Sequence, residues 1–202
     1  MKFLRIGYDL VISEVNEESK VLDLGCGDGV LLERLQNEKN VKGSGVEISE
    51  EGVSLCVDKG LYCYQGDIDE GLTDYPDNSF DYVILNQTIQ NTKRPDLVVK
   101  EVLRIGRKVI VTFPNFAYFK TRLNLLFMGT MPVSKLLPYE WYESPNIHLL
   151  TIKDFRKMAR EFSFKIVKER SFCFKTRDRS KIRTFIPNLF AQYGFFVIEE
   201  AN

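Results

Sequence analysis

Residues 21–29 read Val21-Leu22-Asp23-Leu24-Gly25-Cys26-Gly27-Asp28-Gly29, and an amphipathic stretch from Val30 to Leu35 follows at once. An apolar run that carries one acid and then breaks into three alternate glycines reads as a buried strand, a tight loop and a helix start. Backbone without Cβ atoms can press directly against a ligand there. The acid selects the ligand. Asp23 stands just before the glycines, where it repels a dinucleotide's pyrophosphate and attracts a cationic head group. S-adenosylmethionine carries an ammonium and a sulfonium, and its carboxylate can still use the positive end of the helix that follows. Two phosphate-binding alternatives fail on the same residues. A dinucleotide loop wants Gly-x-Gly-x-x-Gly, but Val30 holds the third glycine position; a P-loop wants Gly-Lys-Ser/Thr after the glycines, and none follows.

Outward from this stretch, strand and helix patterns alternate. Apolar spacing at Leu4, Tyr8, Val11, Ile12 and Val15 predicts an opening helix. Strands are predicted at about 20–24, 42–47, 61–65, 80–85 and 107–113, with helices at about 29–38, 49–59 and 95–105 between them. Ser49 is suited to cap the second of these helices and Gly60 to close it. Such a β-α-β series gives a doubly wound α/β fold with a mostly parallel sheet covered on both faces. Residues 114–150 break the pattern with seven aromatic residues and four prolines, and only Tyr118 to Met128 reads as a helix there. Thr151 and Asp154 have capping-box spacing for a last helix, and apolar strands at about 164–174 and 193–199 finish the chain. Residues 1–202 are expected to form one domain, with 114–150 as an aromatic-rich insertion covering the cleft.

In an open parallel sheet, ligands bind beyond the carboxyl ends of the strands. Four such ends carry suitable groups. Asp23, Gly25 and Gly27 follow the first strand. Glu47 ends the second, placed to accept both hydroxyls of a ribose. After the third, Asp67 is placed to accept from an adenine amino group while Ile68 packs on the ring. Asn86, Gln87 and Thr88 follow the fourth and face the same crevice. The sequential agreement of four strand ends outweighs any one of them.

Composition sets the remaining bounds. The chain has 202 residues, 44% hydrophobic and 28% charged, which suits one globular core. No segment is apolar enough to span a membrane, and Met1 to Arg5 lacks the apolar core of a signal peptide, so a cytoplasmic protein is expected. Cys26, Cys56, Cys63 and Cys173 form no Cys-x-x-Cys pair, and His148 is the lone histidine; reduced cysteines and no metal site are expected. The zero net charge hides an asymmetry: residues 1–91 carry 7 Lys+Arg against 18 Asp+Glu, and residues 92–202 carry 21 against 10. A basic half can mean nucleic acid or an acidic protein partner. Basic residues dispersed at this density are more commonly solvated faces, so nucleic acid is not expected.

These motifs resemble class I S-adenosylmethionine-dependent methyltransferases: Val21 to Gly29, Gly45-Val46-Glu47, Gln65-Gly66-Asp67-Ile68 and Phe80 to Leu85. More narrowly, the chain is similar to the methionine-biosynthesis MetW family. The similarity rests on Phe80 to Gln90 (FDYVILNQTIQ), Phe113 to Phe116, Met131 to Val133 and Leu137 to Leu149 (LPYEWYESPNIHL), and it spans roughly residues 4–198. The resemblance implies a seven-stranded Rossmann-like sheet with its last strand antiparallel. It implies a pocket for S-adenosylmethionine or S-adenosylhomocysteine. Asp23, Gly25 and Gly27 would shape its methionine end, with Cys26 between the glycines; Glu47, followed by Ile48, would hold the ribose, Asp67 and Ile68 the adenine, and Asn86 the methionine amine. It also implies a companion, homoserine O-acyltransferase, which the family is thought to support; no methyl acceptor is implied.

Methyl transfer needs little acid–base machinery, because alignment supplies much of the acceleration. The absence of a catalytic dyad therefore leaves activity open. Asn86-Gln87-Thr88-Ile89 stands where amino-methylating nucleic-acid enzymes carry Asn/Asp-Pro-Pro-Tyr/Phe, and no Pro-Cys nucleophile is present. His148 is the weak candidate for a general base; the preferred reading is a histidine hydrogen-bonded within its segment. Tyr139, Trp141 and Tyr142 suit a substrate cage, core packing or a protein-binding patch equally. Lys165 to Arg183, with eight basic and two acidic residues, reads as a solvated hairpin face or a dock for an acidic partner. Three functions stay open in this order: a cofactor-binding partner of the acyltransferase, a methyltransferase on a small molecule or protein, and an RNA-modifying enzyme.

Overall fold

The computed structural model describes residues 7–134, 136–175, 179–182 and 185–201. Helix α1 (Tyr8–Glu14) leads into β1 (Lys20–Leu24), α2 (Val30–Lys39), β2 (Lys42–Glu47), α3 (Glu50–Asp58) and β3 (Tyr62–Gln65). Then come β4 (Phe80–Asn86), α4 (Pro95–Ile105), β5 (Gly106–Pro114) and α5 (Phe119–Met128). The chain ends with α6 (Ile152–Glu161), β6 (Phe164–Lys175), β7 (Arg179–Ile182), α7 (Pro187–Phe190) and β8 (Tyr193–Glu200). Leu4 of the expected opening helix lies outside the described residues, as do parts of the basic stretch between Lys165 and Arg183.

The strands form one sheet in the order β3-β2-β1-β4-β5-β8-β6-β7. The first five pair in parallel, and β8 runs antiparallel between β5 and β6. This is the expected seven-stranded α/β sheet, with the short β7 added as an eighth strand against β6. From β1 the chain winds outward through β2 to β3, then returns to the other side of β1 as β4. The crevice between β1 and β4 is thus a topological switch point, the place where such sheets bind ligands.

Strand periodicity sorts side chains to two faces. Leu22, Leu24, Val83, Leu85, Val109, Val111, Phe196 and Ile198 join one apolar layer with α4 and α6. Val21, Tyr82, Ile84, Ile110, Phe195 and Val197 join the other with α1 and α2. Phe113, Phe155 and Phe196 pack in the first layer with ring centroids 4.6–5.6 Å apart. The predicted caps form. Ser49 Oγ accepts from Gly52 N at 3.2 Å, and Thr151 and Asp154 close a reciprocal capping box. Arg104 fixes the polar loop before β4 by donating to the Leu72 and Tyr75 carbonyls and to Asp77.

Candidate functional site

The strand ends open into a cavity of about 450 Å³, the size of a small-molecule site. Every cofactor-binding residue designated from the sequence lines it. Asp23, Gly25, Cys26 and Gly27 come from the end of β1, and Glu47 and Ile48 from the end of β2. Asp67 and Ile68 come from the turn after β3, and Asn86 from the end of β4.

The glycine loop is fixed from three sides. Gly25 N and Cys26 N donate to the Val46 carbonyl at 2.8 and 3.2 Å. Thr88 Oγ1 donates to the Leu24 carbonyl at 2.8 Å, tying the β4 end to the β1 end. Gly25 has φ +73°, and a Cβ there would meet Thr88 Oγ1 at 2.8 Å; backbone conformation and close approach both require glycine. Gly27 N donates to Glu47 Oε2 at 2.9 Å, which joins the loop to the second strand end.

Two carboxyl groups at adjacent strand ends interact here. Asp23 is 2% exposed. Burial, and then the neighbouring Glu47, push its carboxyl up to about 7 from 3.8. Glu47 is buried and engaged: Oε2 accepts from Gly27 N, and Oε1 accepts from both Ser49 N and Ser49 Oγ at 2.9 Å. Each carboxylate oxygen has two acceptor positions, so Oε2 keeps one open. Oε1 gains one when the Ser49 hydroxyl turns away.

The other strand ends are partly committed. Asp67 Oδ1 accepts from Asp69 N, and Lys93 Nζ reaches Asp67 Oδ2 at 3.4 Å. That lysine is 70% exposed, so the pair is weak and displaceable. Asn86 Oδ1 accepts from Thr112 Oγ1 at 2.6 Å. Gln87 is held at φ 62°, a left-handed conformation that costs a non-glycine residue energy, and it turns the chain along the cavity. In the short 3₁₀ turn Ile89–Asn91, Gln90 Oε1 and Asn91 Oδ1 are buried in the lining without a protein partner. Sequence reasoning did not single out these two acceptors, and their residue types alone carried no signal.

The aromatic segment forms part of the opposite wall. Leu136, Pro138, Tyr139, Pro145 and Asn146 reach the cavity. Trp141 and Tyr142 do not: they pair edge to face at 5.6 Å and stand 73% and 68% exposed. The three aromatic residues therefore do not converge into a cage. The backbone N–H groups of Ile147 and His148 both donate to the Gln90 carbonyl. The His148 ring does not reach the lining, and its Nε2 is buried without a protein partner.

Beneath the glycine loop the Sγ atoms of Cys26, Cys56 and Cys63 lie within 4.8 Å of one another. Sequence spacing had treated these cysteines singly. Burial pushes the Cys26 thiol up, and it pushes Cys56 up to about 12.

Comparison with known proteins follows the same lines. The family model described as Methionine biosynthesis protein MetW matches residues 5–198. The Bifunctional methionine biosynthesis protein MetXA/MetW of Rhodopirellula baltica is 31% identical over 175 residues, 82% of this chain. The chain spans only 28% of that relative's length. A demethylmenaquinone methyltransferase of Staphylococcus aureus is 28% identical over 195 residues, covering 83% of this chain and 80% of that one. In fold, the chain is similar to a SAM-dependent methyltransferase from Thermotoga maritima, with TM-score 0.70 at 18% identity, covering 97% of this chain and 88% of that one.

Proposed function

The chain belongs to the MetW family of methionine biosynthesis proteins, and from that premise we propose that it binds S-adenosylmethionine, or S-adenosylhomocysteine, at the strand ends and supports homoserine O-acyltransferase by contact. The observation that carries the nucleoside part is the buried Asp23 beside Glu47 in the cavity. A buried carboxylate next to another is costly unless a cation or proton neutralises it. An ammonium placed there lets Asp23 release its proton and ionise. Glu47 Oε2 has an open position for one ribose hydroxyl, and rotation of the Ser49 hydroxyl provides a second at Oε1. Ile68, half-buried against the core, offers an apolar surface to the adenine beside Asp67.

The acyltransferase part is supported by the relative that carries MetXA and MetW portions in one chain. A tether of that kind keeps two modules at high effective concentration, as two separate chains would need affinity to achieve. Mixing purified protein with homoserine O-acyltransferase is the test. A co-eluting complex with a changed acylation rate is expected. Neither effect, with protein that still binds the nucleoside, would remove the partnership and leave the nucleoside site standing.

Methyl transfer is the second reading, supported by the similarity to demethylmenaquinone methyltransferase. S-adenosylmethionine supplies an electrophilic methyl when bound. The chain's part is to hold the nucleoside through Asp23 and Glu47 and to align an acceptor from the Tyr139 side. Labelled methyl reaching an acceptor in cell extract, and lost in Glu47→Ala, would establish it. No transfer would leave the binding role alone.

A further inference from the structure

Cys26 sits in the glycine loop, Cys56 on α3 and Cys63 on β3, so three separate elements direct thiols to one point. Cys26 Sγ lies 3.8 Å from Cys56 Sγ and 3.5 Å from Cys63 Sγ. Thiolates bound at about 2.3 Å to a common ion stand about 3.8–4.0 Å from one another, so little movement is needed. The space is made by Gly45, which pairs with Cys63 in the β2–β3 register; a Cβ there would meet Cys26 Sγ at 2.5 Å. Leu32 and Leu61 wall the cluster on its inner side. Cys63 is partly exposed on the edge strand and gives a way in.

We propose that Cys26, Cys56 and Cys63 form a three-thiolate site for a thiophilic d¹⁰ cation, Zn(II) or Cu(I), directly beneath the glycine loop. Soft sulfur ligands select these ions over Mg(II) or Ca(II). On binding, three S–H bonds give way to three S–metal bonds and the protons leave to solvent; no electron is transferred. Coordination number and charge favour different ions. No fourth His, Cys, Asp or Glu donor joins the cluster among the described residues, which suits three-coordinate Cu(I). Zn(II) would take water on the open Cys63 side as its fourth ligand. Its higher charge neutralises more of the charge on three buried thiolates. The site rests on sulfur geometry alone and is independent of the nucleoside reading.

The test is anaerobic titration of the reduced, metal-stripped full chain with zinc sulfate, and separately with Cu(I), each against a chromophoric chelator. One equivalent withheld from the chelator is expected, with three thiols lost to a thiol reagent and Cys173 still reactive. Cys63→Ser should weaken retention by roughly 10²-fold or more, because a ligand is lost; Cys173→Ser should change nothing. Retention of zinc alone, or of copper alone, supports the site and decides between the ions. Neither ion withheld, or retention unchanged in Cys63→Ser, would overturn it. Because Cys63 lies at the sheet edge, its serine variant keeps the fold; far-ultraviolet circular dichroism checks this, and Cys56→Ala is the second variant.

Discussion

The two walls of the cavity are built in opposite ways. The glycine-loop wall is over-determined: Gly25, Cys26 and Gly27 each donate a backbone hydrogen bond to β2 or to Glu47, and Thr88 locks β4 to β1. The aromatic segment has no helix or strand among its described residues between Gly129 and Leu150; Leu136, Pro138, Tyr139, Pro145 and Asn146 of it line the cavity, while Trp141, Tyr142, Ile147 and Leu149 stand outside that lining and are all more than half exposed. A nucleoside has a fixed shape and rewards a rigid wall. Acceptors and partners differ between relatives, and an exposed aromatic surface suits recognition without demanding one local fold. The proposed nucleoside contacts thus fall on the rigid wall, and the exposed aromatic surface is left for an acceptor or partner.

Asp23→Asn gives the largest effect on the rigid wall. The folded carboxyl titrates near 7 against 3.8 when unperturbed. Between those values the folded state holds a proton that the unfolded chain has released, so rising pH erodes stability through that window and the full penalty stands above about 7. Removing the carboxyl should therefore stabilise the fold above pH 7 by on the order of 4 kcal/mol, while nucleoside affinity falls roughly 10²-fold or more for want of the counter-charge. Denaturation and calorimetry on the same variant check both signs. In the native chain, affinity for the cationic nucleoside should fall about tenfold per pH unit below 7 as Asp23 protonates, a slope that Asp23→Asn abolishes.

A glycine pair sharpens the contrast between the packed loop and the open segment. Gly25 and Gly129 are both left-handed, at φ +73° and +67°, but an added Cβ meets Thr88 at the first and nothing within 4 Å at the second. Gly129→Ala should cost only about 1 kcal/mol, from backbone strain. Gly25→Ala should cost about 1–3 kcal/mol, since Thr88 must also move, and should lower nucleoside affinity as well. Equal costs would mean that Thr88 yields freely and the glycine loop is not held from that side. Smallest of all, Trp141→Ala with Tyr142→Ala should change stability by no more than about 0.5 kcal/mol and leave nucleoside binding intact. Its effect should appear in the acyltransferase complex.

The same contrast explains what the sequence could disclose. The rigid wall is made of short-range signals: alternating apolar residues, glycines where φ is positive, and acids at strand ends. All nine designated residues reach one cavity because each sits at a carboxyl end, and parallel topology gathers those ends. The hydrogen bond from Gly27 N to Glu47, and the exposure of Trp141, depend on packing between segments and had no local signature. The cysteine cluster was hidden for the same reason. Its members come from the glycine loop, α3 and β3 and meet only on folding, and the one sequence clue was Gly45, which pairs with Cys63 and whose missing side chain makes their space. The eighth strand, Arg179–Ile182, was hidden by the continuous polar run in which it lies.

Calorimetry of S-adenosylmethionine binding, at pH 6.5 in two buffers of different ionisation enthalpy, tests most directly whether a cationic nucleoside neutralises Asp23. The expected result is one site per chain and a proton released on binding, with the release disappearing in Asp23→Asn or at pH 8.5. Folded protein that gives no heat and no rise in Tm, or that binds with no proton released at pH 6.5, would contradict it.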